Sequence, residues 1–359
     1  MTHTLFEPLT LRDLTVRNRI WVPPMCMYSA RAEDGIATPF HLMHYGSFAR
    51  GGAGAIILEA TAVAPEARIS PRDLGLWDDA QRDALVPIVQ LAHEHGAAIG
   101  IQLAHAGRKA STYPGFDAAG EGSLAPQDGA WRTLAPSPIP FPGLETPQQL
   151  DAEGIEAVVE AFVSAARRAA QAGFDLIELH AAHGYLLHEF LSPLSNARTD
   201  EYGGDLAGRA RLLLRIVDAV RAEIHEGMPL LVRLSATDWV EGGLDVEEVG
   251  QVGAWLAAHG VDLLDVSSGG NIHPAPIPVG PGYQVPLASA VRAASGLPVA
   301  AVGMIDEPFQ AEQVIATGLA DVVLLGREML RDQNFPIRAA RALRFDGHYI
   351  TPQYARAHR

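Results

Sequence analysis

The densest concentration of chemistry in this chain is two histidines three residues apart with a tyrosine just after them, His180-Ala-Ala-His183-Gly-Tyr185. If the backbone turns helical here, that spacing sets both imidazoles on one side. Such a pair can supply two ligands to a metal, although no carboxylate stands at a matching position nearby. It can also supply two N–H donors converging on one substrate oxygen, an oxyanion-hole arrangement. Tyr185 then suits a proton donor, because a phenol with an ordinary pKa of about 10 stays protonated at neutral pH. The plain alternative is a pair of structural histidines.

Such groups need a scaffold, and the sequence has a regular one. Apolar runs of strand length recur at Ile20–Met27, Gly54–Val63, Ala97–His105, Phe174–His180, Leu230–Ser235, Val261–Ser267, Pro298–Val302 and Val322–Gly326. Helical patterns separate them, among them Ala80–His93, Gly154–Ala172, Arg209–His225 and Val246–Ala258. Continuously apolar strands are buried on both faces, as in a parallel sheet covered by helices. Eight of them predict a single closed (β/α)8 TIM barrel over residues 1–359. An open doubly wound sheet competes, but no Gly-x-Gly-x-x-Gly follows the first strand. The Gly- and Pro-rich segment 106–147 breaks the rhythm after the third strand and is expected to cap the C-terminal mouth. The tail 339–359, with Tyr354 and Arg356, is long enough to reach a neighbouring subunit.

In such a barrel the polar residues just past the strand ends are the first suspects. They are Pro24-Met25-Cys26-Met27-Tyr28, Glu59-Ala60-Thr61, Gln102 to His105, the histidine pair, Arg233, Ser267 to Gly270, Gly303, and Gly326-Arg327. Loops after strands seven and eight often hold phosphate on backbone N–H groups. Gly303 and Gly326 permit close approach there, and Arg327 adds a forked cation. Arg233 ends an otherwise apolar strand, and a buried cation needs an anionic partner. Cys26 is either inert core or, given its place beside Tyr28, functional. His41, His44, His93 and His95 read as solvated or structural. Lys109 lies off the barrel strands, which argues against a Schiff-base aldolase.

Bulk properties narrow the field. With 27 Lys+Arg against 42 Asp+Glu, the net charge is −15, which disfavours nucleic acid and anionic membranes as partners. No run approaches the roughly 18 apolar residues of a membrane span, and Met1 to Arg12 lacks a signal-peptide core. The single cysteine rules out intrachain disulfides and cysteine-held clusters. A cytoplasmic setting is expected.

These motifs resemble the Old Yellow Enzyme family, in its bacterial thermophilic-like branch. The likeness runs from Leu5-Phe6-Glu7-Pro8 to Gln353-Tyr354. It is strongest from His180 through Ser192-Pro193 and on to Ser195-Asn-Ala-Arg-Thr-Asp-Glu-Tyr-Gly-Gly204, with support from Pro24 to Tyr28 and Gln102 to Arg108. The resemblance implies an FMN-dependent ene-reductase that takes hydride from NADPH, or NADH, and reduces activated C=C bonds by a ping-pong mechanism. Its substrates would be enones, enals, maleimides and nitro compounds. Pro24, Met25, Cys26, Ala60, Gln102, Arg233, Gly303, Gly326 and Arg327 would form the FMN shell, with Arg233 stabilising the reduced anionic flavin. Cys26 would tune the flavin and touch substrate. His180 and His183 would hold the substrate's activating oxygen with Tyr28 nearby, and Tyr185 would donate the proton. Arg356 would reach a partner's site, implying a homodimer or homotetramer. Pro23 departs from the small residue common before Pro24, and its missing N–H puts a flavin contact there in doubt. Three rivals are weighed against this reading. A dienoyl-CoA reductase needs cysteines the chain lacks. A metal-dependent barrel hydrolase would use His180 and His183 as ligands. A non-catalytic flavin redox sensor would leave the donor pair and Tyr185 without a purpose.

Overall fold

The computed structural model describes residues 4–115, 120–347 and 349–358. Residues 116–119 of the expected capping segment and residues 348 and 359 of the expected tail lie outside them. Eight parallel strands close into a barrel: β1 (Ile20–Val22), β2 (Ala55–Ala62), β3 (Ala98–Ala104), β4 (Leu176–Ala181), β5 (Leu230–Ser235), β6 (Leu263–Ser267), β7 (Val299–Val302) and β8 (Val322–Leu324). The ring closes where Val323 of β8 pairs with Ile20 of β1. The helices that follow the strands are α1 (Pro39–Arg50), α2 (Asp79–Glu94), α3 (Ala152–Ala172), α4 (Leu206–Glu223), α5 (Val246–Ala258), α6 (Val285–Ser295), α7 (Pro308–Ala316) and α8 (Phe335–Ala342).

Local chemistry explains the boundaries. Asp151 and Asp205 each accept a backbone N–H at 2.8 Å at the starts of α3 and α4, and Asp245 accepts two at the start of α5, satisfying orphan donors of the first turn. Helix α3 ends on Gly173 in the left-handed conformation, the usual C-terminal stop. Strand β1 is shorter than the apolar run predicts because Pro23 and Pro24 cannot donate to a ladder.

Side chains alternate along each strand, so every second residue points into the barrel. Leu176, Leu231 and Leu263 join Trp21 and Ile57 in an apolar layer at the base. The antiparallel hairpin of Leu9–Leu11 and Leu14–Val16 closes that end. Two residues further along the same three strands stand Glu178, Arg233 and Asp265, and two further His180, Ser235 and Ser267. All six are buried. Period-two alternation thus lifts the chain from an apolar plug through a charged layer to a polar mouth. No helix among the described residues is long and apolar enough to cross a membrane.

Candidate active site

Past β1 the chain runs extended, and Tyr28 adopts a positive φ of 48°. Beside it, the pairing of β2 with β3 shifts register between Leu58 and Ala60. Such a bulge re-aims the side chains around it. Ala60 faces the barrel, whereas Glu59 turns outward to α1, where Tyr45 donates to Glu59 Oε1 at 2.9 Å. The backbone N–H of Met27 donates to Glu59 Oε2 at 2.8 Å. Glu59, expected from sequence among the mouth residues, therefore anchors the Cys26–Tyr28 segment instead.

The histidine turn forms without a helix, which corrects the expectation for 180–183. Strand β4 ends at Ala181, and the chain reverses through His183 (φ 61°) and Gly184 (φ 72°). A left-handed histidine is strained, and surroundings must hold it. Ser235 Oγ accepts the His183 N–H at 3.0 Å, and the His183 carbonyl accepts from Lys109 Nζ at 2.9 Å. A Cβ on Gly184 would lie 2.3 Å from the Gly270 carbonyl oxygen, so only glycine fits. The reversal brings the rings of His180 and His183 to 5.3 Å and those of His180 and Tyr185 to 5.0 Å. No third His, Cys, Asp or Glu joins the pair in a metal-holding group among the described residues.

Burial, reinforced by the Arg233 charge, pushes His180 and His183 well below the ordinary histidine range, so both rings are neutral. His183 Nε2 meets Ser267 Oγ at 2.7 Å, and Ser267 Oγ also lies 3.3 Å from Gln284 Oε1. Burial raises Tyr185, Tyr28 and the Cys26 thiol above their ordinary values, and Tyr28 hydrogen-bonds beside Cys26. The mouth therefore carries neutral donors. Sequence reasoning missed Lys109, whose Nζ sits 4.9 Å from the Tyr185 ring centre and is pushed down to about 8 by burial. Its signal was the run His105-Ala-Gly-Arg-Lys109 directly behind β3.

A second group gathers where β6, β7 and β8 end. Ser267, Gln284, Gly303, Gly326 and Arg327 line a cavity of about 300 Å³. Gly303 has φ 122°, and a Cβ there would come within 2.9 Å of the Tyr283 and Gln284 side chains. Met25 and Pro23 border Gly326, so the β1 loop reaches this cavity. Between the groups, Arg233 lies with its Nε 2.9 Å from Asp265 Oδ2, and its terminal nitrogens make no hydrogen bond among the described residues. Gln102 donates to Glu178 Oε1 at 2.7 Å. A glycine cradle, an adjoining guanidinium and uncommitted Arg233 nitrogens fit a phosphate-bearing ring cofactor able to carry negative charge. Arg356 is placed elsewhere. The tail leads into its 3-10 turn, Pro352–His358, along the N-terminal ends of the strands, with Arg17 over Tyr349 and Arg50 over Tyr354.

The buried titratable groups predict how stability depends on pH. Burial lifts Glu59 and Glu189 from 4.5 to about 8 and lowers His41, His44 and His105 from 6.5 to about 4. Between pH 6.5 and 8 the folded state keeps carboxyl protons that the unfolded chain has released, so stability falls as pH rises. Below pH 6.5 the neutral histidines oppose this trend, because only the unfolded chain protonates them. The urea midpoint should therefore be higher at pH 6.5 than at pH 8, with Glu59→Gln narrowing the difference. Equal midpoints would show that Glu59 and Glu189 are ionised in the fold.

Comparison with known proteins places this arrangement. Residues 4–345 match the model of the NADH:flavin oxidoreductase / NADH oxidase family. An NADPH dehydrogenase of Geobacillus thermodenitrificans is 49% identical over 344 residues, covering 96% of this chain and 95% of that protein. Morphinone reductase superposes with a TM-score of 0.80 at 28% identity, over 94% of this chain and 89% of the other. The Old Yellow Enzyme homologue of Zymomonas mobilis does so with a TM-score of 0.78 at 28% identity, over 94% and 93%. Barrel, glycine cradle and mouth all lie inside the matched span, and the chain belongs to this family of FMN-dependent oxidoreductases, the Old Yellow Enzymes.

Proposed function

We propose that this oxidoreductase is an NADPH-dependent ene-reductase acting on activated C=C bonds of enones, enals, maleimides and nitro compounds. The observation that carries the reading is the convergence of two neutral histidines and one protonated tyrosine at the barrel mouth. Bound FMN would supply the redox chemistry, linking NADPH oxidation to substrate reduction in two separate half-reactions. Pro24, Met25, Cys26, Ala60, Gln102, Arg233, Gly303, Gly326 and Arg327 are the residues that would hold it.

The chain's own groups do the rest. His180 and His183 donate to the carbonyl or nitro oxygen and draw electron density from the β-carbon. His183 donates through Nδ1 when its Nε2 accepts the Ser267 hydroxyl at 2.7 Å, the closer of the two acceptors that hydroxyl meets, Gln284 Oε1 lying at 3.3 Å. Tyr28 and Cys26 line the same mouth and orient substrate. Tyr185 delivers the proton to the α-carbon. The described parts of the 106–147 segment cap the mouth: Arg108 Nη2 donates to Asn271 Oδ1 at 2.8 Å, and the Trp131 indole donates to the Glu66 carbonyl at 2.9 Å, tying them to loops beyond β6 and β2. Arg356, turned away from its own mouth, serves a partner's site in a cytoplasmic homodimer or homotetramer.

Anaerobic absorbance titration with NADPH, then with 2-cyclohexenone, tests the reading. Flavin bands should bleach with the first and return with the second. Bands that bleach but do not return would exclude enones as acceptors.

A further inference from the structure

The charged layer beneath the mouth holds two carboxyls for one guanidinium. Asp265 on β6 and Arg233 on β5 are strand partners, and Glu178 stands on β4 on the other side of Arg233's strand. Glu178 and Asp265 are wholly buried, with 0% exposure. Gln102 occupies one oxygen of Glu178, leaving Glu178 Oε2, both Asp265 oxygens and Arg233 Nε without a hydrogen bond. The 2.9 Å Arg233–Asp265 contact is thus an ion pair with poor hydrogen-bond alignment. Buried polar atoms left unsatisfied in this number call for an explanation. Two carboxylates sharing one cation in a dry layer do not both ionise, and one proton stays on the pair.

We propose that Glu178 and Asp265 form one proton-sharing acid beneath Arg233, taking up a further proton when reduction places negative charge on the cofactor above the guanidinium and releasing it on reoxidation. The proposal rests on the reading that Arg233 faces bound FMN. While the cofactor is oxidised, the Arg233 charge is matched by one carboxylate. A second anion on the other side of the guanidinium divides that charge, and the carboxylate's proton affinity rises. NADPH delivers two electrons and one proton as hydride, and solvent supplies the second proton, which forms an O–H bond on the pair. When the hydride leaves for substrate, that proton returns to solvent. The groups facing the pair are Arg233 of β5, Gln102 of β3 and, beyond them, neutral His180 of β4, while β7 and β8 present only Val, Ala and Leu. Burial lifts both carboxyls, Asp265 to about 6 and Glu178 further because it also faces Asp265.

The test is the midpoint potential of the FMN-loaded protein against pH, from pH 6 to 9, in the parent and in Asp265→Asn/Glu178→Gln. The parent should show the steeper slope, by up to one further proton per two electrons. That is a tenfold change in equilibrium per pH unit, or about 30 mV. The double variant should also lie at higher potential at alkaline pH, where Arg233 is no longer opposed. A raised potential with an unchanged slope would overturn the proton uptake and leave Arg233 beside the flavin. No change in potential or slope would overturn the placement of Arg233 itself. Infrared difference spectra of the parent alone give an independent readout if the variant does not fold. A carboxylic-acid band should grow on reduction, and its absence would overturn the proposal.

Discussion

Replacing Tyr185 by phenylalanine is expected to slow reoxidation of the reduced enzyme by 2-cyclohexenone about 10²- to 10⁴-fold, the range of a lost general acid. Reduction by NADPH should stay nearly unchanged. At 1.36 kcal/mol per decade the loss is about 3–5 kcal/mol of transition-state stabilisation. The substitution removes one oxygen and little else. Tyr185 caps the short helix Leu186–Leu191 through its backbone, with no side-chain cap bond. Its ring packs against His180 and beneath Lys109, and phenylalanine retains both contacts. A fold defect is therefore not expected, and the thermal midpoint of the variant should match the parent's. Stopped-flow traces of the two half-reactions decide the matter. If both slow equally, Tyr185 positions the mouth and another group supplies the proton.

The scaffold was legible because burial on both faces writes itself as unbroken apolar runs. Helix α5 and strand β5 span the same residues as their sequence patterns, since sharp caps and apolar periods mark their ends. What escaped reading depends on backbone detail that composition does not carry. The bulge in β2 changes which of Glu59 and Ala60 faces inward, and nothing in Leu58-Glu59-Ala60 announces an extra residue. The His180–His183 pair was recognised, but its spacing suggested a helical turn. The chain instead uses a left-handed His183 braced by Ser235 and Lys109, contacts that are 52 and 74 residues distant. Lys109 belongs to no strand, so strand-end logic does not find it, yet its loop folds back over Tyr185. The acidic layer was in principle visible. Glu178 and Asp265 each stand in mid-strand between two apolar neighbours, and each lies two residues past a leucine of the inner face. Arg233 was singled out by the same rule, and its carboxyl partners were not.

Arg233→Leu is expected to destabilise the FMN-free protein by about 3–5 kcal/mol near neutral pH, the cost of removing one partner from a buried ion pair. The loss comes from Asp265, which has no hydrogen bond and no other cation within its layer. It should therefore depend on pH in a definite direction. Arg233 holds Asp265 down, so without it the carboxyl rises further above its unfolded value of 3.8. A folded-state pKa above the unfolded one means that stability is lost as pH climbs between the two. The deficit should be small at pH 5, where Asp265 and Glu178 are both protonated, and larger at pH 8. Adding Asp265→Leu should recover most of it, since a buried pair exchanged for apolar side chains is often neutral or stabilising. Recovery of the fold should not restore tight FMN binding, because the guanidinium proposed to face the cofactor is gone. Urea midpoints of the single and double variants at the two pH values, with FMN affinity by fluorescence quenching, separate these effects. A pH-independent deficit would mean that Asp265 carries no charge in the folded chain, and the Arg233–Asp265 contact would then be packing rather than an ion pair.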